Sequence, residues 1–167
     1  MHTFQPFKLT DIDLNPFTKF NNEWALISTG NKSKYNTMTV SWGGLGVFWH
    51  KQVAMIFIRE SRYTKEFLDS GDLFSISFLD EEYRDALKLC GEKSGRDVDK
   101  FAEAGLTPCF RHNIPYPDEA NLVLLCNKLL AVPLTEDLIS KKAMDKFYAD
   151  KDMHTMYLAE IIESAAR

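Results

Sequence analysis

Two arginines and two hydroxyl side chains crowd the stretch Arg59-Glu60-Ser61-Arg62-Tyr63-Thr64. An apolar run, Val53 to Ile58, precedes it, and a short helix-forming run ending at Gly71 follows. The stretch is therefore the joint between a strand and a helix start. A helix start offers unpaired backbone N–H groups and the positive end of the macrodipole. Arg59 and Arg62 add forked guanidinium donors suited to phosphate oxygens, and Ser61 and Thr64, the latter a natural N-cap, add hydroxyls. Such a joint can cradle a phosphate. It can equally be a solvated turn in which Arg59 pairs with Glu60 or Glu66. Spacing alone leaves both readings open.

Two further clusters carry usable chemistry. In Lys34-Tyr35-Asn36-Thr37-Met38-Thr39-Val40-Ser41-Trp42-Gly43-Gly44, small polar residues (Asn36, Thr37, Thr39, Ser41) are interleaved with Met38, Val40 and Trp42. Polar rims and apolar faces are what a planar heterocycle needs, although an amphipathic strand with one wet face has the same pattern. In Cys90-Gly91-Glu92-Lys93-Ser94-Gly95-Arg96-Asp97, the residues Lys93, Ser94 and Arg96 lie between two short helices, with Asp97 as a natural cap for the second. They can supply cations beside an anionic ligand or form a capped turn. His154 stands alone before the last apolar run, where a structural role is the default.

Other chemistry is missing. There is no GxSxG elbow, Walker loop, HExxH or GxGxxG. Asp80, Glu81 and Glu82 are adjacent in sequence and suit the first turn of a helix rather than acid–base work. The 3 cysteines (Cys90, Cys109, Cys126) and 4 histidines are too scattered for a disulfide framework or a zinc pattern. Buried reduced thiols in a cytoplasmic protein are expected.

These clusters need elements to hold them. Glu23–Gly30, the Thr37–Gly44 region, Leu45–Trp49, Val53–Ile58, Leu73–Leu79, Leu122–Thr135 and His154–Ser164 have strand character. Pro133 marks a strand end or an edge. Short helices are expected over Thr64–Ser70 (closed by Gly71 in the left-handed conformation), from Asp80 to a stop at Gly91, around Arg96–Ala104 and over Lys141–Asp150. About six strands with short helices between some of them is not a βαβα alternation. It favours a mainly β fold, a closed antiparallel barrel with peripheral helices.

The chain of 167 residues is long enough for one domain with a real core, and 45% hydrophobic residues is ordinary for a globular protein. No apolar run approaches the roughly 18 residues of a membrane span, and the N-terminal residues lack the pattern of a secretory signal. A net charge of −4 argues against general nucleic-acid binding.

The three clusters, in this order, resemble the flavin reductase-like family with the FMN-binding split-barrel fold, and within it the flavoredoxin-like branch. The segments are NTMTVSWGG, then SRYTKEFLDSGDLFSISFL, then CGEKSGRDVDKFAEAGLT, with HTMYLAEIIE as the closing strand. The likeness spans about residues 20 to 163. It implies a six-stranded antiparallel Greek-key barrel working as a homodimer, with FMN in a groove near the subunit interface. Asn36, Thr37, Met38, Thr39, Ser41 and Trp42 would line the isoalloxazine, and Arg59, Ser61, Arg62, Tyr63 and Thr64 would hold the phosphate. Lys93, Ser94 and Arg96 would approach the flavin or its phosphate from the same or the partner subunit, Lys93 favouring the negative charge that builds up on a reduced ring. His154 would stand on the nicotinamide side. The implied activity is oxidation of NADH or NADPH with electrons passed to flavin or another acceptor. A non-enzymatic electron-transfer protein served by a redox partner, and a binding module for another phosphorylated ligand, are the competing readings.

Overall fold

A computed structural model describes all 167 residues. After a short strand β1 (Gln5–Phe7) and a single helical turn α1 (Pro16–Thr18), the chain forms the hairpin β2 (Ala25–Asn31) and β3 (Lys34–Val40). The turn sequence explains this hairpin. Asn31 Oδ1 accepts from the backbone N–H of Ser33 at 2.9 Å and of Lys34 at 3.2 Å, the self-closing turn that asparagine favours. Next come β4 (Gly43–Phe48), β5 (Lys51–Arg59), α2 (Tyr63–Ser70), β6 (Leu73–Leu79), α3 (Arg84–Glu92) and α4 (Lys100–Glu103). A small hairpin, β7 (Pro108–Arg111) with β8 (Ile114–Pro117), leads into the long strand β9 (Ala120–Pro133). Helix α5 (Lys141–Phe147) and strand β10 (His154–Ala166) close the chain.

The main sheet is antiparallel throughout and runs β3-β2-β6-β9-β10-β5-β4, with β1 added on β10. Six long strands make the barrel wall and β4 extends it past β5, so the expected mainly β split barrel with peripheral helices is what the chain forms. The apolar runs are continuous because both faces of the wall are covered. On β9, Leu122, Leu124 and Cys126 fill the interior core while Val123 and Leu125 belong to a second, outer core. Phe74, Ile76 and Phe78 of β6 also point inward. On its other face the small Ser75 donates to the Pro115 carbonyl at 2.6 Å, which lets β8 lie close. The outer core is roofed by Leu87 and Cys90 of α3, Phe101 of α4 and Ile114 of β8. All three cysteines are free and buried, as expected. No helix is long and apolar enough to cross a membrane.

Several local expectations need correction. Thr64 does not cap α2: Arg62 holds the N-cap position without a side-chain bond, because the Thr64 hydroxyl is claimed by Asn36. Gly71 is extended, with φ −140°, and the α2 C-terminus is instead held by Lys128, whose Nζ donates to the Leu68 and Gly71 carbonyls. Helix α3 runs through Gly91 to Glu92, and α4 is capped by Asp99 rather than Asp97. Pro133 does end its strand.

The β4–β5 turn has Trp49 at φ 51° and His50 at φ 58°, both in the left-handed region and neither a glycine. A left-handed L-residue costs about 1–2 kcal/mol. His50→Gly is therefore expected to raise the unfolding free energy by about 1 kcal/mol, read as a higher urea midpoint at unchanged slope. A lower midpoint would show that the relieved strain is smaller than the lost side-chain contacts together with the added freedom of a glycine in the unfolded chain.

Candidate functional site

β3 and β4 are consecutive in the chain but lie at opposite ends of the sheet path, and only Ser41 and Trp42 join them. Gly43 then starts β4 against Phe20: a Cβ there would stand 2.6 Å from the Phe20 ring and 2.7 Å from the Met55 carbonyl oxygen. A groove of about 210 Å³ opens over this crossing, lined by Met38, Thr39, Val40, Ser41, Trp42, Phe57, Arg59, Arg62 and His154. Seven of the residues named from the sequence thus meet in one place. A neighbouring hollow of about 420 Å³ is lined by Asn36, Tyr63, Gly95, Arg96 and Lys100 among others. The buried bond from Asn36 Nδ2 to Thr64 Oγ1, 2.8 Å long, joins β3 to α2 beside that hollow.

The hydroxyl row of β3 is only partly free. Thr37 is fully buried, donates to the Ile27 carbonyl at 3.1 Å and accepts from Ser28, so it braces the β2–β3 pair and stays outside the groove. The Thr39 hydroxyl donates to the Leu87 carbonyl and fastens α3 to β3. The apolar part of the groove comes from Met38, Phe57 and the half-exposed ring of Trp42.

At the far end of β5 every cation has an acceptor. The pairing proposed from sequence for Arg59, with Glu60 or Glu66, is not the one adopted. Its guanidinium contacts Asp150 Oδ2 at 3.1 Å and the carbonyls of Asp152 at 2.9 Å and Phe147 at 3.3 Å. Arg62 turns the other way and donates to the Gly91 carbonyl at 2.6 Å and the Cys90 carbonyl at 3.2 Å, capping α3. Burial draws its pKa below the usual guanidinium value. Arg96 crosses from the α3–α4 loop, lies over the Tyr63 ring at 5.0 Å, donates to the Ser61 carbonyl at 3.2 Å and pairs with Glu66. This contact brings the third sequence cluster to the first. Ser94 shapes the same loop, its Oγ accepting from the Arg96 amide at 3.2 Å. Lys93 is directed away, to Glu103 at 2.5 Å, because it leaves the α3 terminus on the side facing α4.

The buried cation is one that the sequence reading did not single out. Lys100 is 3% exposed and donates to the Cys90 carbonyl at 2.8 Å, sharing that oxygen with Arg62. Burial, and then the nearby Arg62 charge, draw its ammonium down to about 8. No spacing in RDVDKF marks it, since a lysine one residue inside a helix is ordinarily a solvent-facing one.

Ser61 shows what the joint can hold. Its backbone N–H and its Oγ–H both end on the Asp152 carboxylate, at 3.1 and 2.6 Å, with an Arg59 nitrogen 3.8 Å away. The protein's own oxyanion therefore sits on donors of the kind a phosphate uses. Beside it, strand pairing sets His154 opposite Arg59. The imidazole is buried, lies 5.0 Å from the Trp42 ring centroid and shares a 2.9 Å hydrogen bond between Nδ1 and the Tyr148 hydroxyl. Burial first, and then Arg59, lower its pKa to about 4, so it is neutral at pH 7. Tyr148 is itself raised by burial and stays a phenol.

The groove therefore joins an aromatic and polar bed to a neutral histidine, and its Arg59 side chain reaches an oxyanion-binding corner at Ser61. The solved structures that resemble this fold include a flavoredoxin from Methanosarcina acetivorans (20% identity, TM-score 0.70, covering 93% of this chain and 75% of that one). An FMN-binding domain of flavin reductase-like enzyme from Shewanella baltica is 16% identical, with a TM-score of 0.71 over 98% of this chain and 77% of the other. A flavoredoxin of Desulfovibrio vulgaris is 21% identical, with a TM-score of 0.67 over 86% and 69%. At these identities the likeness establishes the fold alone. No protein of curated function matches the sequence. The flavin reductase like domain matches residues 17–165, which takes in every element of the groove. The chain belongs to the flavin reductase-like domain family.

Proposed function

We propose that the chain, as one domain over residues 1–167, binds FMN and acts as an oxidoreductase that oxidises NADH or NADPH and passes the electrons to flavin or another acceptor. The observation that carries this reading is the convergence of the Met38–Trp42 bed and the Ser61–Arg59 oxyanion corner at one end of the barrel wall. When bound, FMN supplies the hydride and electron chemistry, which is why no protein nucleophile is needed.

The residues supply binding and shielding. Met38, Phe57 and Trp42 offer apolar surface to a ring, and Ser41 offers a polar edge. Ser61, backed by Arg59, carries two donors of the kind a phosphate uses, here ending on the Asp152 carboxylate. His154 is neutral, so it adds no positive charge to compete with a cationic nicotinamide for space at Trp42. Lys93 is turned away to Glu103, so the cations bordering the site are Arg59 and Arg62 at the groove and Lys100 and Arg96 at the neighbouring hollow. A homodimer is part of the proposal: Trp42 and Phe147 at the groove rim, and Val47 of β4 with Trp49 in the turn after it, leave exposed apolar surface for a second copy. Nothing in it requires nucleic acid or a membrane.

The test is spectroscopic. The purified protein mixed with FMN is expected to show a perturbed flavin spectrum that bleaches within seconds of NADH or NADPH addition. A bound flavin that stays oxidised with both nucleotides but is reduced by a redox protein would replace the enzyme with an electron carrier. Failure to bind FMN would leave the binding-module reading, with another phosphorylated ligand.

A further inference from the structure

We propose that Asp152 sets which flavin the groove accepts, by holding the two Ser61 donors that a terminal phosphate would otherwise take. The inference rests on the flavin reading above. It starts from the paired contact of Ser61 N–H and Oγ–H with one carboxylate, at 3.1 and 2.6 Å.

The surroundings fix Asp152 there. Its backbone carbonyl accepts from Arg59 at 2.9 Å, and its N–H donates to Asp150 at 3.1 Å. The turn therefore brings the carboxylate to Ser61 as part of a built corner rather than as a swinging side chain. The cations around the corner already have acceptors, Arg62 on the Gly91 and Cys90 carbonyls and the others on carboxylates. Arg59 is committed to Asp150 and the turn, Arg96 to Glu66, and Lys65 to Glu60 and Asp69. A phosphate bringing nearly two negative charges would have to displace Asp152 and then lie against like charge. A flavin whose side chain ends in a hydroxyl meets the opposite situation, because an alcohol can donate to a carboxylate and needs no counter-charge.

Asp152 is thus a specificity-determining residue that narrows the preference for phosphorylated over unphosphorylated flavin. The same contact gives Ser61 different roles with and without the acid. In the native protein Ser61 serves Asp152, and with the acid removed it becomes free to serve a phosphate.

Dissociation constants for FMN and riboflavin, measured by quenching of flavin fluorescence, test this. The wild type is expected to bind the two flavins within about tenfold of each other. Asp152→Asn and Asp152→Ser are each expected to tighten FMN about tenfold and leave riboflavin within a factor of two. Ser61→Ala is expected to weaken FMN clearly more in the Asp152→Ser background than in the native one. Circular dichroism melts establish that each variant is folded, and two replacements guard against one that is not. An unchanged or smaller FMN-to-riboflavin preference in both Asp152 variants would overturn the inference while leaving flavin binding standing. Absence of binding by either flavin to wild type and variants alike would overturn the flavin reading, and this inference with it.

Discussion

Arg62→Ala is expected to lower the unfolding free energy by about 2–4 kcal/mol and to weaken FMN binding by up to about tenfold. The Arg62 guanidinium holds two carbonyls at the C-terminus of α3, those of Gly91 and Cys90. Bonds from a charged donor are worth about 1.5–3 kcal/mol each; the half-buried Gly91 carbonyl loses its side-chain donor, while the Cys90 carbonyl keeps Lys100. The favourable meeting of a cation with the negative end of the helix is lost as well. The effect on binding follows from position. The α3 terminus carries the Lys93–Asp97 loop, and that loop delivers Arg96 to the Ser61 carbonyl. Once α3 frays, both sides of the phosphate corner lose their register. Arg62→Lys should recover less than half of the stability, since an ammonium cannot span two carbonyls with a planar fork. Equilibrium urea unfolding and FMN titration measure the two effects. A stability change below 0.5 kcal/mol would show that water replaces the guanidinium without loss.

The second large effect is a pH dependence that Lys100→Met should erase. The Lys100 ammonium titrates at about 8 in the folded protein, against 10.5 in an ordinary lysine. Between those values the unfolded chain holds more protons than the folded one, so stability rises with pH across that window. Below about pH 8 the lysine is charged in both states, and the native fold bears the full cost of burying it. The rise should amount to about 2 kcal/mol. Cys90 and Cys109 work against it, because burial pushes both thiols up to about 11 and the unfolded chain ionises first. The comparison must therefore be the wild type minus Lys100→Met at each pH from 7.5 to 10. That difference is expected to climb steadily. A flat difference would mean that water reaches the ammonium and the burial cost is already relieved.

Much of the barrel wall was legible, for a reason that individual strands make plain. LFSISFL and LVLLC occupy strands covered on both faces, so their hydrophobicity is continuous and their boundaries are sharp. The β7–β8 hairpin left no such trace. It is four residues on each side, carries three prolines, and turns at His112 and Asn113 with φ 52° and 65° where a glycine would have announced a turn. At the groove, residue types pointed to the right neighbourhood but not to their bonds. Thr64 has the profile of an N-cap, yet Asn36, distant in sequence, takes its hydroxyl. Arg62 has the profile of a phosphate ligand, yet its fork closes on α3. Asp152 gave no signal at all, because only the fold of the turn after α5 brings it to Ser61. Local pattern fixes which face a side chain leaves from. Which of several acceptors it then chooses is decided by long-range packing.

The crossing from β3 to β4 has a mechanical meaning. A closed barrel is normally held shut by a ladder of hydrogen bonds, but here the two ends of the sheet path are bridged by two residues of covalent chain, Ser41 and Trp42. Those residues are also the floor and rim of the groove. The site thus lies on the clasp of the barrel, and whatever settles there bears on the hoop that keeps the staves together.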